Sequence, residues 1–335
     1  MDNSIITQQI DSIDSKYKNE KTNALNIDIK NKIYLTILSY ISNSKKTIYL
    51  KKKINNGSFN HIYTFSLKKN NKVEDKFIIR LSNDNSTTDS INSELQGIKI
   101  QYKLCLKSKN IGNVIDYGKI YNPGSNILQE YSIHQKYEQS LKVLLNSNPK
   151  YYSINTVINF TYDLIATLYI IHKNNIAHLD LKPDNILIER LEMREDKIYR
   201  IHFVIIDFGA AKKFTDNKSK SLSAQMASAQ FSPPELLNYK FGKKSDIWAL
   251  GVILYLVFVG KNFYTANANS IFMNNNHKKL ENKINDAIEK LLNSLKKTYK
   301  IDNTLYVKLK NIFLGIFLID VDKRLNAKEL YTIIS

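Results

Sequence analysis

"HLDLKPDNIL", residues 178–187, packs two aspartates, a lysine and an asparagine into six positions between apolar flanks. Such a density of charge points to chemistry rather than packing. A carboxylate in the loop, Asp180, can accept a hydroxyl proton. Lys182 offers a positive charge to a phosphate. Asn185 offers a neutral oxygen to a hard cation such as Mg2+. Further on, the apolar run "VIIDFG" ends in a second carboxylate, Asp207, followed by Phe208 and Gly209. Two carboxylates and an amide oxygen are the ligand types that a magnesium–phosphate complex requires.

Around this stretch the chain changes character. Residues 1–45 read as an N-terminal extension, in which "IDIKNKIYLTILSYI", residues 27–41, suits an amphipathic helix. "TIYLKKKI", "HIYTFSLKK" and "KFIIRLS" read as strands divided by Asn/Gly turns. "DSINSELQGIKIQYKLCL" reads as a helix capped by Asp89 or Ser90, and "NVIDYGKIY" and "SNILQEYS" as two further strands. Beyond residue 135 helices dominate, beginning with "SLKVLLN" and the long "INTVINFTYDLIATLYIIHKNN". "NILIE" and "RIHFVIIDFG" read as short strands on either side of a polar loop. A β-rich first part followed by a helical remainder predicts an α+β chain in two lobes, 46–133 and 134–335.

Bulk properties narrow the function classes. With 335 residues, 43% of them hydrophobic, the chain can bury a sizeable core. The net charge of +18 comes from lysines scattered along the whole length, which reads as a solvated basic surface and not as a nucleic-acid site. The longest apolar run, "IWALGVILYLVFVG" at 247–260, is shorter than the roughly 20 residues of a membrane span and reads as a core helix. The N-terminus is too polar for a signal peptide, and the single cysteine, Cys105, excludes an internal disulfide. These features lead us to expect an intracellular, reducing location. His172 and His178 read as packed residues, and His/Cys zinc spacing is absent.

The motif H-x-D-x-K-x-x-N followed by D-F-G resembles that of eukaryotic-type serine/threonine protein kinases, and the likeness runs over roughly residues 46–333. The resemblance implies a two-lobed kinase fold, ATP and Mg2+, and protein substrates phosphorylated on Ser or Thr. It makes Asp180 the catalytic base and Lys182 the phosphate-side lysine, with Asn185 and Asp207 as metal ligands. "SPPELL" is similar to A-P-E, with Glu235 in the Glu position, and Arg324 of "DKRLNAKEL" is the partner the family gives that glutamate. "KSDIWALGVILY" matches D-x-W-x-x-G through Asp246, Trp248 and Gly251. Lys182 after the base, and Ser228 before the A-P-E match, resemble Ser/Thr enzymes.

The first lobe departs from the family pattern. "INNGSFNHIYTF" aligns with G-x-G-x-x-G-x-V, but Asn55 and Asn60 replace the outer glycines around Gly57, and Ile62 stands at the Val position. Asn tolerates left-handed backbone better than other side chains do, yet cannot approach a phosphate as glycine can. "FIIR" stands for V-A-I-K, so Ile78 replaces the alanine over adenine and Arg80 the lysine that pairs with the helix glutamate, Glu94. Arg keeps the charge but is longer and forked. Glu130 and Tyr131 of "LQEYS" are expected to hold adenine by their backbone, with Gln129 as gatekeeper. Leu179 replaces the arginine of H-R-D, which in the family reads loop phosphorylation. A kinase-shaped binding module without transfer is the alternative that these departures leave open.

Overall fold

The computed structural model describes residues 26–28, 32–39, 41–43, 45–50, 52–56, 60–69, 72–82, 88–120, 129–147, 152–214, 220–221, 229–235, 240–263 and 277–335. The chain divides into two units, 1–136 and 137–335. The boundary lies three residues beyond the expected one at 133/134, because the last strand of unit 1 runs on to Gln135.

Unit 1 is built on an eight-stranded antiparallel sheet. Its strands are β1 (Asn26–Asp28), β2 (Lys32–Ser39), β3 (Lys45–Leu50), β4 (Lys52–Asn56), β5 (Asn60–Lys69), β6 (Lys72–Ser82), β7 (Val114–Ile120) and β8 (Gln129–Gln135), with helix α1 (Thr88–Cys105) between β6 and β7. The order is β1-β2-β7-β8-β6-β5-β4, and β3 pairs with β2. The helix expected over 27–41 is therefore corrected to strands. "KIYLTILS" is rich in β-branched and aromatic residues, and its neighbours in the sheet supply the hydrogen bonds that an isolated helix would have made internally.

Strand β6 shows the period-2 alternation of a sheet with a core face. Phe77, Ile79 and Leu81 are buried, while Ile78 and Arg80 between them are half-buried. β8 lies beside β6, with Ile79 opposite Ile133 and Arg80 opposite Ser132. The other face of β8 carries buried polar groups, Glu130, Ser132 and His134, of which His134 Nε2 and Ser132 Oγ are 2.7 Å apart.

Burial pushes the Glu130 carboxyl up from about 4.5 to about 7; Lys119 and Lys99 pull it down and Glu94 pushes it further up. Below pH 4.5 the acid is protonated in the folded and unfolded chain alike. Between 4.5 and 7 only the folded chain keeps the proton, so stability falls as pH rises through that window. Glu130→Gln should therefore match the parent in thermal melting at pH 4 and melt several degrees higher at pH 8. Melting curves across that range check it.

Unit 2 begins with β9 (Gln139–Ser140), α2 (Leu141–Ser147) and α3 (Ile154–Lys173). Ser153 caps α3 by accepting the Thr156 amide at 3.1 Å. By length and composition α3 could cross a membrane, but Phe160, Leu164, Ile165 and Leu168 on it are fully buried in unit 2, as in a core helix. Next come β10 (Ile176–Ala177), β11 (Ile186–Arg194), β12 (Lys197–Ile205), β13 (Lys212–Lys213), β14 (Lys220–Ser221) and β15 (Lys240–Phe241). β11 and β12 form a longer hairpin than expected, closed by Glu195 and Asp196 at φ 46° and 59°, the paired left-handed geometry that matches strand twist.

The remaining helices are α4 (Lys243–Val259), α5 (His277–Tyr299), α6 (Asn303–Ile316) and α7 (Ala327–Ile334). As expected, α4 is a core helix, with residues 245–254 all buried. Gly251 is required there because a Cβ would overlap Ile316 and come within 2.9 Å of the Phe317 ring.

Candidate active site

The loop 178–185 hangs between β10 and β11, and one buried carboxylate shapes it. Asp246, in the first turn of α4 and only 1% exposed, accepts the amides of His178 and Leu179 at 2.8 Å each. It also accepts or shares a hydrogen with His172 Nε2 at 2.9 Å. These bonds hold Leu179 at φ 63°, a left-handed conformation costly for a branched side chain. The reversal comes immediately before Asp180, whose side chain is largely covered.

His178 supports the same turn from inside. Its Nε2 lies 3.0 Å from the Ile206 carbonyl, and its Nδ1 accepts the Asp180 amide at 3.3 Å. That pattern assigns the neutral tautomer with the proton on Nε2. Its ring packs on Phe208, centroids 4.7 Å apart. The reading of His172 and His178 as packed residues agrees with these positions.

Three expected residues of unit 2 are in contact, and a fourth, Asp207, follows the residue that bonds to them. Lys182 Nζ is 2.7 Å from Asp180 Oδ2. Asn185 Nδ2 donates to the same oxygen at 3.1 Å and to the Asp180 carbonyl at 2.9 Å. Asn185 in turn begins the β11–β12 hairpin, and its carbonyl accepts the Ile206 amide at 3.0 Å, next to Asp207. Asp207 sits at φ 64°, ψ 69°, with its Oδ1 over Gly209, where a Cβ would lie 3.4 Å away. The hairpin register, Ile186 opposite Ile205, is what sets Asn185 beside the D-F-G turn.

The buried pair Arg324–Glu235 is present and bidentate, at 2.7 and 2.9 Å. Asp180 borders a small, partly open hollow of about 20 Å³, lined also by Leu179, Leu181, Phe231, Pro233 and Phe241. Leu179 itself joins Ala177, Phe214 and Phe241 in an apolar cluster. Ser228 falls outside the described residues.

In unit 1, Arg80 Nη2 meets Glu94 Oε1 at 3.4 Å, a single long contact between half-buried side chains. The pair joins β6 to α1 as the spacing implied. Ile78 is one pair further along β6, opposite Thr64 and His134, and Ile62 lies opposite Arg80 on β5. Asn55 pairs with Ile62 across β4 and β5, beyond a register shift after Lys53. Gly57 lies outside the described residues.

Glu130 and Tyr131 are corrected. They lie within β8, with Tyr131 between Leu81 of β6 and Gly118 of β7, and Glu130 opposite Lys119. Tyr131 is thus paired on both sides, and the ladder between β6 and β8 ends at it, so the two residues are strand and not the connection between the units. Gln129, the expected gatekeeper, is the first residue of that strand. The strand runs four residues beyond Tyr131, and the passage to unit 2 falls at Lys136 and Tyr137. The sequence reading also assigned Asp246 no role in the loop. An acid in the first turn of an otherwise apolar helix was the available signal, since such a group must find buried donors.

The family model described as the protein kinase domain matches residues 48–333. Calcium-dependent protein kinase 4 of Plasmodium berghei (strain Anka) is 32% identical over 157 residues, 44% of this chain and 28% of that protein. The 3-phosphoinositide-dependent protein kinase 1 of Rattus norvegicus is 30% identical over 174 residues, 51% of this chain and 26% of that protein. The chain thus spans about a quarter of the length of these relatives.

Proposed function

The chain belongs to the protein kinase family, and from that membership we propose that it transfers the γ-phosphoryl group of ATP to Ser or Thr hydroxyls of protein substrates. The observation that carries the reading is the grouping of Asp180, Lys182 and Asn185 on one loop, with Lys182 and Asn185 both donating to Asp180 and Asn185 bonded to Ile206, the residue before Asp207.

Asp180 would orient the attacking hydroxyl and take its proton as the new P–O bond forms and the γ-phosphorus bond to the ADP oxygen breaks, ADP leaving. Lys182, already on the same carboxylate, would balance charge on the transferring group. The donor set fits Mg2+. Asn185 spends its amide nitrogen on Asp180, which turns its oxygen away as a hard ligand, and Asp207 adds a carboxylate. Two protein oxygens with the rest left to water and phosphate is the usual magnesium arrangement. A bound ion would neutralise phosphate charge. Lys182 after the base supports Ser/Thr acceptors.

The test is transfer of label from γ-labelled ATP to a generic basic protein, followed by identification of the phosphorylated residue. Phosphoserine or phosphothreonine is expected, and phosphotyrosine alone would overturn the acceptor class. Arg80 sets how fast the reaction runs. Its 3.4 Å contact with Glu94 keeps a cation in place with poor geometry, and a misplacement of about 1 Å can cost around 10²-fold in rate. Arg80→Lys should leave transfer equal or raise it, since Lys is a compact point charge. Arg80→Ala should lower nucleotide affinity and transfer together. Calorimetry with ATP and magnesium separates these outcomes. Failure of both the parent and Arg80→Lys to bind nucleotide would favour a kinase-shaped binding module.

A further inference from the structure

The family match begins at residue 48, so β1, β2 and the first residues of β3 lie outside it. Those strands are nonetheless built into the sheet. Along one edge β2 pairs with β3, from Ile33 opposite Leu50 to Leu38 opposite Lys45. Along the other it pairs with β1 and then with β7, through Ile37 opposite Ile120 and Ser39 opposite Gly118. β3 precedes β4 by a single residue, and β4 pairs with β5. Read in order, β2-β7-β8-β6-β5-β4/β3 returns to β2, so the sheet closes on itself. Closure removes the free edges that β7 and β3 would otherwise present.

A buried polar pin sits at the seam. Asp116 of β7, 6% exposed, accepts Ser39 Oγ–H at 2.6 Å and Tyr131 O–H at 3.1 Å, both from residues 1% exposed. It also accepts the Tyr117 amide at 2.8 Å. Ser39 Oγ meanwhile accepts the amides of Ile41 and Ser42 at 3.2 and 3.1 Å, which starts the turn into β3. One serine therefore ends β2, begins the turn and satisfies a buried carboxylate. Tyr131 lies opposite Leu81, the neighbour of Arg80, so the pin reaches the strands that carry the ion pair.

We infer that residues 32–39 are the closing strand of unit 1, pinned through Ser39 to Asp116, and that the working unit begins before the family match and not at residue 48. The segment is a part of the sheet and not a removable tail. A buried carboxylate that loses one of its donors, on a strand that regains an open edge, makes release of the segment costly.

Hydrogen exchange and thermal melting of the full chain test this without reference to catalysis, so the result is independent of the phosphotransfer reading. In the parent, amides of 32–39 and of 114–120 should be protected together. Ser39→Ala should lower the melting temperature by about 3 °C or more and speed exchange in both segments. Ser39→Asp sets two carboxylates at the seam and should abolish protection of both. Adding Asp116→Asn supplies an amide donor for the new carboxylate and should restore much of that loss. Exchange of 32–39 at the rate of an unstructured peptide in the parent would overturn the inference. So would protection of 114–120 that ignores Ser39→Ala, or no recovery in the double variant. If Ser39→Asp does not fold, the Ser39→Ala exchange pattern decides.

Discussion

Asp180→Asn is expected to lower phosphoryl transfer by about 10²- to 10⁴-fold while sparing the fold and the nucleotide affinity. The substitution is nearly isosteric and leaves the Asn185 amide on the residue 180 carbonyl, 2.9 Å away, so the loop keeps its internal tie. Asp246 holds the loop through the amides of His178 and Leu179, which the change does not touch. What disappears is the carboxylate proposed as the base, together with the charge that Lys182 faces at 2.7 Å. Labelled transfer, nucleotide calorimetry and a melting curve on the same preparation check the three parts. A variant as active as its parent would remove Asp180 from the role of base. A variant that loses binding and stability would make it a structural residue.

Arg324→Ala is expected to destabilise unit 2 by about 3–5 kcal/mol, the usual cost of stripping one partner from a buried ion pair. Glu235 receives both guanidinium nitrogens, and the same side chain serves the Lys244 carbonyl at 2.9 Å and the Leu318 carbonyl at 3.0 Å. It also lies over the Trp248 ring, 4.9 Å from its centroid. With Arg324 itself 1% exposed, removing it strips the buried Glu235 carboxylate of both its guanidinium donors and takes a donor from two part-buried carbonyls. Arg324→Lys should recover little, because an ammonium cannot reproduce the fork. Replacing both Arg324 and Glu235 by leucine should cost less than Arg324→Ala alone, since no charge is then stranded. Urea unfolding of the three variants measures the differences. A double variant weaker than the single one would assign the loss to packing rather than to the orphaned charge.

The loop 178–185 was legible in one dimension because its parts are neighbours in the chain. A carboxylate, a cation and an amide within six residues must share a loop, and the apolar runs around them must be buried. The same holds for the buried helix α4. Its apolar run has no polar side to give water, and the structure buries residues 245–254 throughout. The Arg80–Glu94 and Glu235–Arg324 pairs were anticipated through the family likeness, and the tertiary structure supplied their quality. The first is a single 3.4 Å contact and the second a closed bidentate fork.

Where the reading failed, a distant partner decided the local conformation. "KIYLTILS" carries enough apolar residues for a helix, and pairing with β1, β3 and β7, the last about eighty residues on, makes it a strand. Glu130 and Tyr131 read as the adenine-holding end of a strand that stops at Ser132, because strand ends are weakly marked, and pairing with β6 and β7 carried the strand to Gln135. Asp246 sits 66 residues beyond Asp180 and acts on it through the amides of His178 and Leu179; its place in an apolar helix marks it as an acid in need of donors, but not which amides supply them. Adjacent residues thus declare which chemistry is possible. Backbone hydrogen bonds between remote segments settle which strand closes the sheet and how the acidic loop is aimed, because they depend on proximity that only the folded chain creates.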